Sequence, residues 1–303
     1  MSDASLPPAL SVVIVRFVGG DALAETLLAL EGQQQPPPSF EVLCVTAPES
    51  PIPGEWRERH PSVHWIEGPP RCSPARLRSL GVSAARGTHV ACTEDHCVPA
   101  PDWCARIVAA HAGEPGVSRV VGGAIDKRPD PSTPDGSAWA AYLLDYSRYM
   151  PPFSPGPAQY ASDCNVSYVR AALENVRQVW EVEFHETSVH DALAAQGIPL
   201  RLDPTVMVFE HRPVKLWDYL RERGEHGALF ARTRLIGASP VTRVQWFATS
   251  LLLPPVLVMR AVQRVRRAGQ LHRVPARAWP PLVAAAVAWS LGEVRGYLAG
   301  RAR

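Results

Sequence analysis

Along the first two thirds of the chain, short apolar runs alternate with amphipathic segments. Residues 10–15, Leu-Ser-Val-Val-Ile-Val, form a β-branched run suited to a buried strand. Leu23, Leu27 and Leu30 then recur at helical spacing behind Asp21, which is placed to cap a helix. PPPSF ends that helix, and residues 40–45 and 63–66 read as two further strands. A second helix over about 73–86 leads into a strand at 88–92. Strand–helix alternation with short connections predicts a mostly parallel sheet covered by helices on both faces. Residues 126–160 break the rhythm: rich in Pro, Gly and Tyr, they predict irregular loops beside a substrate opening. Helices are predicted at 168–176 and at 186–196, the latter closed by Gly197, followed by a strand at 205–209 and a basic helix at 217–234. No internal repeat is present.

Charge divides the chain. Residues 1–211 hold 15 Lys and Arg against 25 Asp and Glu, whereas residues 212–303 hold 16 against 4. We therefore expect an acidic body at 1–211 and a basic helical region at 212–303 that meets an anionic surface. The basic region contains two uncharged stretches, residues 244–259 and 278–292, each with a Pro-Pro pair. A spanning helix needs about 20 apolar residues, and both stretches are shorter. Between them stand Arg260, Arg264, Arg266, Arg267, Arg273 and Arg277, a composition suited to anionic headgroups. The expectation is a dipping hairpin or an interfacial helix pair rather than two crossings. No basic-then-apolar leader is evident, and six cysteines without a CxxC pair suggest reduced thiols, so a cytoplasmic site at the inner membrane face is expected.

The candidate chemistry begins where the fourth strand ends. Residues 89–92 run directly into Thr93-Glu94-Asp95-His96. In parallel sheets, ligands bind beyond the carboxyl ends of the strands, so two carboxylates and an imidazole at such an end point to binding or catalysis. On an extended backbone Glu94 and His96 face one way and Asp95 the other, unless the chain turns there. His185-Glu186-Thr187-Ser188-Val189-His190 is not a zinc-protease helix, because its histidines are five apart and leave a common helix face. Trp103 and Pro99 read as packing residues. The chain has no Gly-rich phosphate loop, G-x-S-x-G elbow or zinc-finger spacing, and no nucleic-acid partner is expected.

Taken together, LSVVIV, DALAETLLALEGQ, EVLCV, RSLGVSAARGTHVACTEDHCVPAPDW, DCNVSYVRAAL and FHETSVHDALAAQGIPLRLDPTVMVFEH resemble, in order and spacing, the family-2 inverting glycosyltransferases. The similarity covers about residues 10–235, and the run from 78 to 103 is its most specific part. The resemblance implies a GT-A fold, a Rossmann-like mixed α/β sheet flanked by helices, with a C-terminal helical tail. It implies a nucleotide-sugar donor, a lipid-linked or other glycan acceptor and Mn2+ or Mg2+. Glu94 and His96, with Asp95 between them, match the family's D-x-D diphosphate and metal position, and His211 matches a residue that completes the metal shell. Arg78 matches the arginine that approaches the donor, Asp163 and Asn165 fall on the acceptor side, and Glu186 matches the carboxylate base.

Some positions depart from the family pattern. Arg16-Phe17-Val18 stands for the usual Thr-Tyr-Asn, Thr46-Ala47-Pro48-Glu49 for the base-reading Asp-Asp, and Ser79 for an asparagine. These departures keep open a degenerate member that binds or scaffolds without turnover. A nucleotide-sugar pyrophosphorylase finds only a faint echo in Arg16 to Gly20.

Overall fold

The computed structural model describes residues 6–16, 22–34, 37–112, 119–128, 136–235 and 238–299. Its strands are β1 (Leu10–Arg16), β2 (Phe40–Thr46), β3 (Val63–Glu67), β4 (His89–Glu94), β5 (Cys97–Pro99), β6 (Val120–Lys127), β7 (Gly156–Pro157), β8 (Val166–Val169) and β9 (Leu200–Glu210). Its helices are α1 (Ala22–Glu31), α2 (Gly54–Arg59), α3 (Pro74–Ala84), α4 (Trp103–His111), α5 (Ser137–Asp145), α6 (Arg170–Glu174), α7 (Arg177–Trp180), α8 (Glu186–Ala195), α9 (Leu216–Arg234), α10 (Pro240–Ser250), α11 (Leu253–Arg267) and α12 (Trp279–Ala299). The chain forms two compact units. Residues 1–126 and 153–211 make a sheet unit, and residues 127–152 and 212–303 make a helical one.

In the sheet unit the strands run β3-β2-β1-β4-β8-β6-β9-β5, with β7 on β9. β1 pairs in parallel with β2 on one side and β4 on the other, and every residue of β1 is buried. A continuous β-branched run is what a strand covered on both faces requires. The sheet turns antiparallel at β8, which pairs with β4 and β6. Two connections then leave in opposite directions from β1, so the carboxyl ends of β1 and β4 flank a switch point where α/β sheets bind ligands. α3 covers this region. Ser73 caps it by accepting the Arg76 amide at 3.1 Å, and Pro74 starts it without needing a donor. A Cβ on Gly81 would come within 2.4 Å of Val13 Cγ1, so glycine is what lets α3 lie close on β1.

Several expectations change. β4 runs on through Glu94 rather than stopping at residue 92, which places the first carboxylate inside the strand. The helix expected at 168–176 is instead β8 followed by the short α6, because Val166-Ser167-Tyr168-Val169 finds partners on both sides in the sheet. The loops expected over 126–160 include α5 and a 3-10 turn at Ser147–Tyr149. The Asp21 cap, Phe17 and Val18 lie outside the described residues.

In the helical unit, Pro254 and Pro280 sit in the first turns of α11 and α12, where no intrahelical N–H partner is required. The Pro-Pro pairs therefore open helices rather than interrupt them, and α12 continues past residue 292 to Ala299. α9 and α12 approach backbone to backbone, so that a Cβ on Gly292 would lie 2.2 Å from the Gly224 carbonyl oxygen. Tyr219, Ala138, Ala141, Val214 and Ala285 form this unit's own apolar core. Asp145 accepts from Arg223 at 2.6 Å and Tyr219 at 3.2 Å beside it. Among the described residues no single helix is long and apolar enough to cross a membrane; α10 and α11 pass that test only together, and they bend by 61° at their junction.

Candidate functional site

One guanidinium organises the carboxyl end of the sheet. Arg78 leaves α3 with its side chain almost wholly buried and donates to Glu94 Oε1 at 3.2 Å, Asp163 Oδ2 at 2.6 Å and the Phe184 carbonyl at 3.3 Å. Three segments distant in sequence are thereby tied together: the end of β4, the loop before β8 and the residue two positions before α8. Burial alone would lower the Arg78 pKa, but Asp163 and Glu94 outweigh it and hold the cation charged.

Each carboxylate then differs according to its surroundings. Burial, followed by repulsion from Asp163, pushes the Glu94 carboxyl up to about 8 against the pull of His96 and Arg78. Glu186 is the first residue of α8, where unsatisfied amides favour an anion. Burial and then Asp163 nonetheless raise it to about 7, with Arg78 acting in the opposite direction. Asp163 keeps 28% of its side chain exposed, the most open of the three groups bonded through Arg78. Glu94 and Glu186 are thus both held high by burial and by Asp163, and both are drawn the other way by the same arginine. A carboxylate with a pKa near neutrality lies in the range where a general base works best.

The chain turns after Glu94, at Asp95 and His96. Asp95 donates its amide to the Val15 carbonyl at 3.1 Å, and Thr26 of α1 pins the turn by donating to the Asp95 and Cys97 carbonyls at 3.1 and 3.2 Å. His96 is fully buried, with Nε2 3.7 Å from Glu94 Oε2 and Nδ1 3.5 Å from Asp95 Oδ1. Burial would lower its pKa, yet Cys97, Asp95 and Glu94 raise it well above the ordinary range. The Cys97 thiol moves the other way: burial would raise it, but Cys164 and the His96 charge bring it down to about 6. Cys164 donates from Sγ to Glu94 Oε2 at 3.0 Å, and its carbonyl accepts from Thr93 Oγ1 at 2.9 Å.

The residues picked out by sequence therefore separate. Arg78, Glu94, Asp163 and Glu186 form one electrostatic cluster, and Asp95 and His96 lie behind it. His211 donates its amide to the His96 carbonyl at 2.8 Å, while its ring meets Glu25 Oε2 at 3.2 Å, and it belongs to neither of the cation-capable clusters among the described residues. Asn165 uses its amide inside the fold: Nδ2 donates to the carbonyls of Ala124 and Val206, and Oδ1 accepts from the indole of Trp103. That leaves Asp163 as the acceptor-side candidate. The same indole bond shows Trp103 packing and bracing the site from α4. His185 is exposed and paired with Glu183 at 3.1 Å, whereas His190 is buried on Tyr168 at 2.9 Å, so the two imidazoles of that segment share no site.

Sequence reasoning missed Thr26 and Cys97. Thr26 sits between the leucines of α1 with nothing in its spacing to mark it, and Cys97 reads as one more apolar residue. A cavity of about 260 Å3 lined by Leu27, Leu30, Phe40, Glu41 and Val63 lies where β2 and β3 begin, at the opposite end of those strands, and holds none of this chemistry.

Two oxygen donors, Glu94 and Asp163, lie close enough with Cys164 to hold one cation. The carboxylate pair suits a hard divalent ion such as Mg2+ or Mn2+. Neither His96, turned inward, nor His211, turned to Glu25, joins that pair.

Residues 11–177 match the family model described as Glycosyl transferase family 2. No curated protein matches the chain by sequence. Among solved structures, the mannosyltransferase PcManGT from Pyrobaculum calidifontis, in complex with GDP-Man and Mn2+, aligns at a TM-score of 0.56 and 17% identity, covering 95% of this chain and 88% of that one. The S. aureus TarS fragment 1–349 aligns at a TM-score of 0.49 and 14% identity over 94% of this chain and 89% of that one. At these identities the likeness to PcManGT is one of fold.

Proposed function

The chain belongs to glycosyl transferase family 2, whose model spans more than half of it, and we propose that it moves a sugar from a nucleotide-activated donor to a glycan or lipid-linked acceptor with inversion. The observation that carries this reading is Glu186, raised to about 7 at the amino end of α8 beside Asp163 and Arg78. In a single displacement the acceptor oxygen attacks the anomeric carbon while the bond from that carbon to the diphosphate oxygen breaks. Glu186 takes the acceptor's proton, and the nucleoside diphosphate leaves with the bonding pair. Arg78 and Asp163 set the field in which that proton moves: Asp163 strengthens Glu186 as a base, and Arg78 keeps the cluster from becoming wholly anionic.

A neighbour in fold holds GDP-Man and Mn2+, which supports a nucleotide-sugar donor and a divalent ion here. Glu94 and Asp163 would hold Mg2+ or Mn2+, in exchange with their present pairing to Arg78. The ion, when bound, supplies Lewis-acid neutralisation of the departing diphosphate.

Exposed residues of the helical unit support a membrane-surface acceptor. Val241, Val244, Leu251, Leu252 and Met259 are exposed apolar residues on α10, α11 and the turn between them, near the exposed Arg260, Arg266 and Arg267. Apolar side chains beside arginines suit an interfacial helix pair on anionic lipid. Cosedimentation with anionic vesicles should fall in a Val241→Ser, Val244→Ser, Leu251→Ser, Leu252→Ser variant, and unchanged binding would contradict this placement.

The enzymatic reading is tested with a panel of nucleotide sugars in the presence of Mn2+ or Mg2+, following binding and nucleoside diphosphate release. Release that is lost in Glu186→Gln while binding persists supports transfer. Binding without release from the unaltered chain favours the second reading, a family member that binds donor without turnover, which the burial of His96 at the D-x-D position favours. Failure of every nucleotide sugar to bind would overturn both.

A further inference from the structure

The imidazole and thiols behind the carboxylates form a site of their own. His96, Cys97 and Cys164 bring one ring nitrogen and two sulfurs within 4.8 Å of one another, and all three side chains are fully buried. They come from two segments, the turn after β4 and the loop before β8, and Cys97 and Cys164 are hydrogen-bonded to each other. Glu94 divides its carboxylate between the two sides. Oε1 meets Arg78 at 3.2 Å, whereas Oε2 lies 3.0 Å from Cys164 Sγ and 3.7 Å from His96 Nε2.

Two sulfurs and one imidazole nitrogen thus converge on one buried point, and Glu94 Oε2 reaches Cys164 and His96 from the side of Arg78. Those donor types match three corners of a tetrahedral ion, with metal–sulfur bonds of about 2.3 Å and metal–nitrogen bonds of about 2.0–2.1 Å. Paired thiolates with imidazole select a borderline or thiophilic cation and disfavour Mg2+, which prefers oxygen ligands. Cys44, Cys92 and Cys104 are equally buried but belong to no such cluster among the described residues, so burial of a cysteine alone does not produce the arrangement.

We propose that His96, Cys97 and Cys164 bind a Zn2+. Loading releases to solvent the protons that the imidazole and the thiols carry on their ligating atoms, and forms two zinc–sulfur bonds and one zinc–nitrogen bond. Its effect on the site is positional, since it fastens the turn at Asp95–His96 to the loop carrying Asp163 and so fixes Glu94 Oε1 and Asp163 against Arg78. This assignment also gives the imidazole at the D-x-D position a role facing inward, and it stands independently of whether the chain transfers sugar.

The test is metal analysis of the full untagged chain produced in zinc-supplemented medium, paired with Co2+ substitution read by absorption. One equivalent of zinc is expected, together with a thiolate-to-cobalt charge-transfer band in the near ultraviolet after exchange. Cys97→Ser with Cys164→Ser should lose both, while Cys44→Ser keeps both. Absence of stoichiometric zinc and of the thiolate band in the unaltered chain overturns the proposal, a result that needs no variant to fold. Zinc retained in the double variant overturns it as well.

Discussion

The two units of this chain are each built around a different kind of contact. In the sheet unit, charge is buried and then balanced: Arg78, Glu94 and the fully enclosed Asp95 and His96 sit beneath the ends of β1 and β4. In the helical unit, α9 and α12 close on one another along Gly224, Gly227, Gly292 and Gly296, each placed against facing backbone or a small side chain, with Arg223 stacked on Trp289 and paired to Asp145 beside them. Buried charge is an inefficient way to gain stability, because desolvation offsets much of the attraction. We propose that the sheet unit retains it for proton transfer, whereas the glycines set how closely α9 and α12 approach. Changes at the Arg78 cluster should therefore alter reactivity, and changes at the glycines between α9 and α12 should alter stability without altering the pH dependence of turnover.

The largest effect should come from Glu186→Gln. Losing a general base lowers the rate by ~10²–10⁴-fold, with the thermal midpoint and donor binding unchanged; an unaltered turnover number would break the comparison at its centre. Next is Arg78→Met, which leaves Glu94 and Asp163 without their shared cation. Removing one partner of a buried pair costs several kcal/mol, and with Asp163 partly open to solvent we expect about 3 kcal/mol in urea unfolding. A cost near zero would show that the guanidinium is not holding the cluster. Gly292→Ala comes third: the new methyl meets the Gly224 carbonyl, and overpacking of this kind costs about 1–3 kcal/mol. Its pH dependence of turnover should match the unaltered chain, and a shifted profile would erase the distinction between the units. The smallest effect is a movement of one pH limb. Asp163 raises Glu186, so Asp163→Asn should move the ionisation that activates transfer below its starting position of about 7. An upward movement would reverse the assigned sign.

Much of the fold was legible because it rests on periodicity. The run at residues 10–15, the leucines of α1 and Gly197 closing α8 with a φ of 76° all follow from local rules. β8 was misread as helix because four residues carry too little pattern to outweigh the helical segment after them, and its identity comes from β4 and β6 on either side. The site was legible as a set of residues but not as an arrangement. Arg78, Glu94, Asp163 and Glu186 were picked out by motif, and the structure brings Glu94 and Asp163 onto the Arg78 guanidinium, with Glu186 close enough to feel both Asp163 and Arg78. Asn165 and His211 were picked out in the same way, yet their side chains are directed to Ala124, Val206 and Trp103 in one case and to Glu25 in the other. The turn at Asp95–His96 decided where the imidazole points. No spacing in the sequence announces that turn, because Thr26, which pins it, lies some 70 residues away in the chain.

Transfer as proposed depends on Glu186 accepting the acceptor's proton, and the pH dependence of nucleoside diphosphate release tests that most directly. With a donor that binds, release should rise through a single limb near pH 7, the value set at Glu186 by burial and Asp163, and Glu186→Gln should abolish that limb along with most of the rate. A limb that persists in Glu186→Gln, or a rate that is flat across neutrality in the unaltered chain, would contradict it.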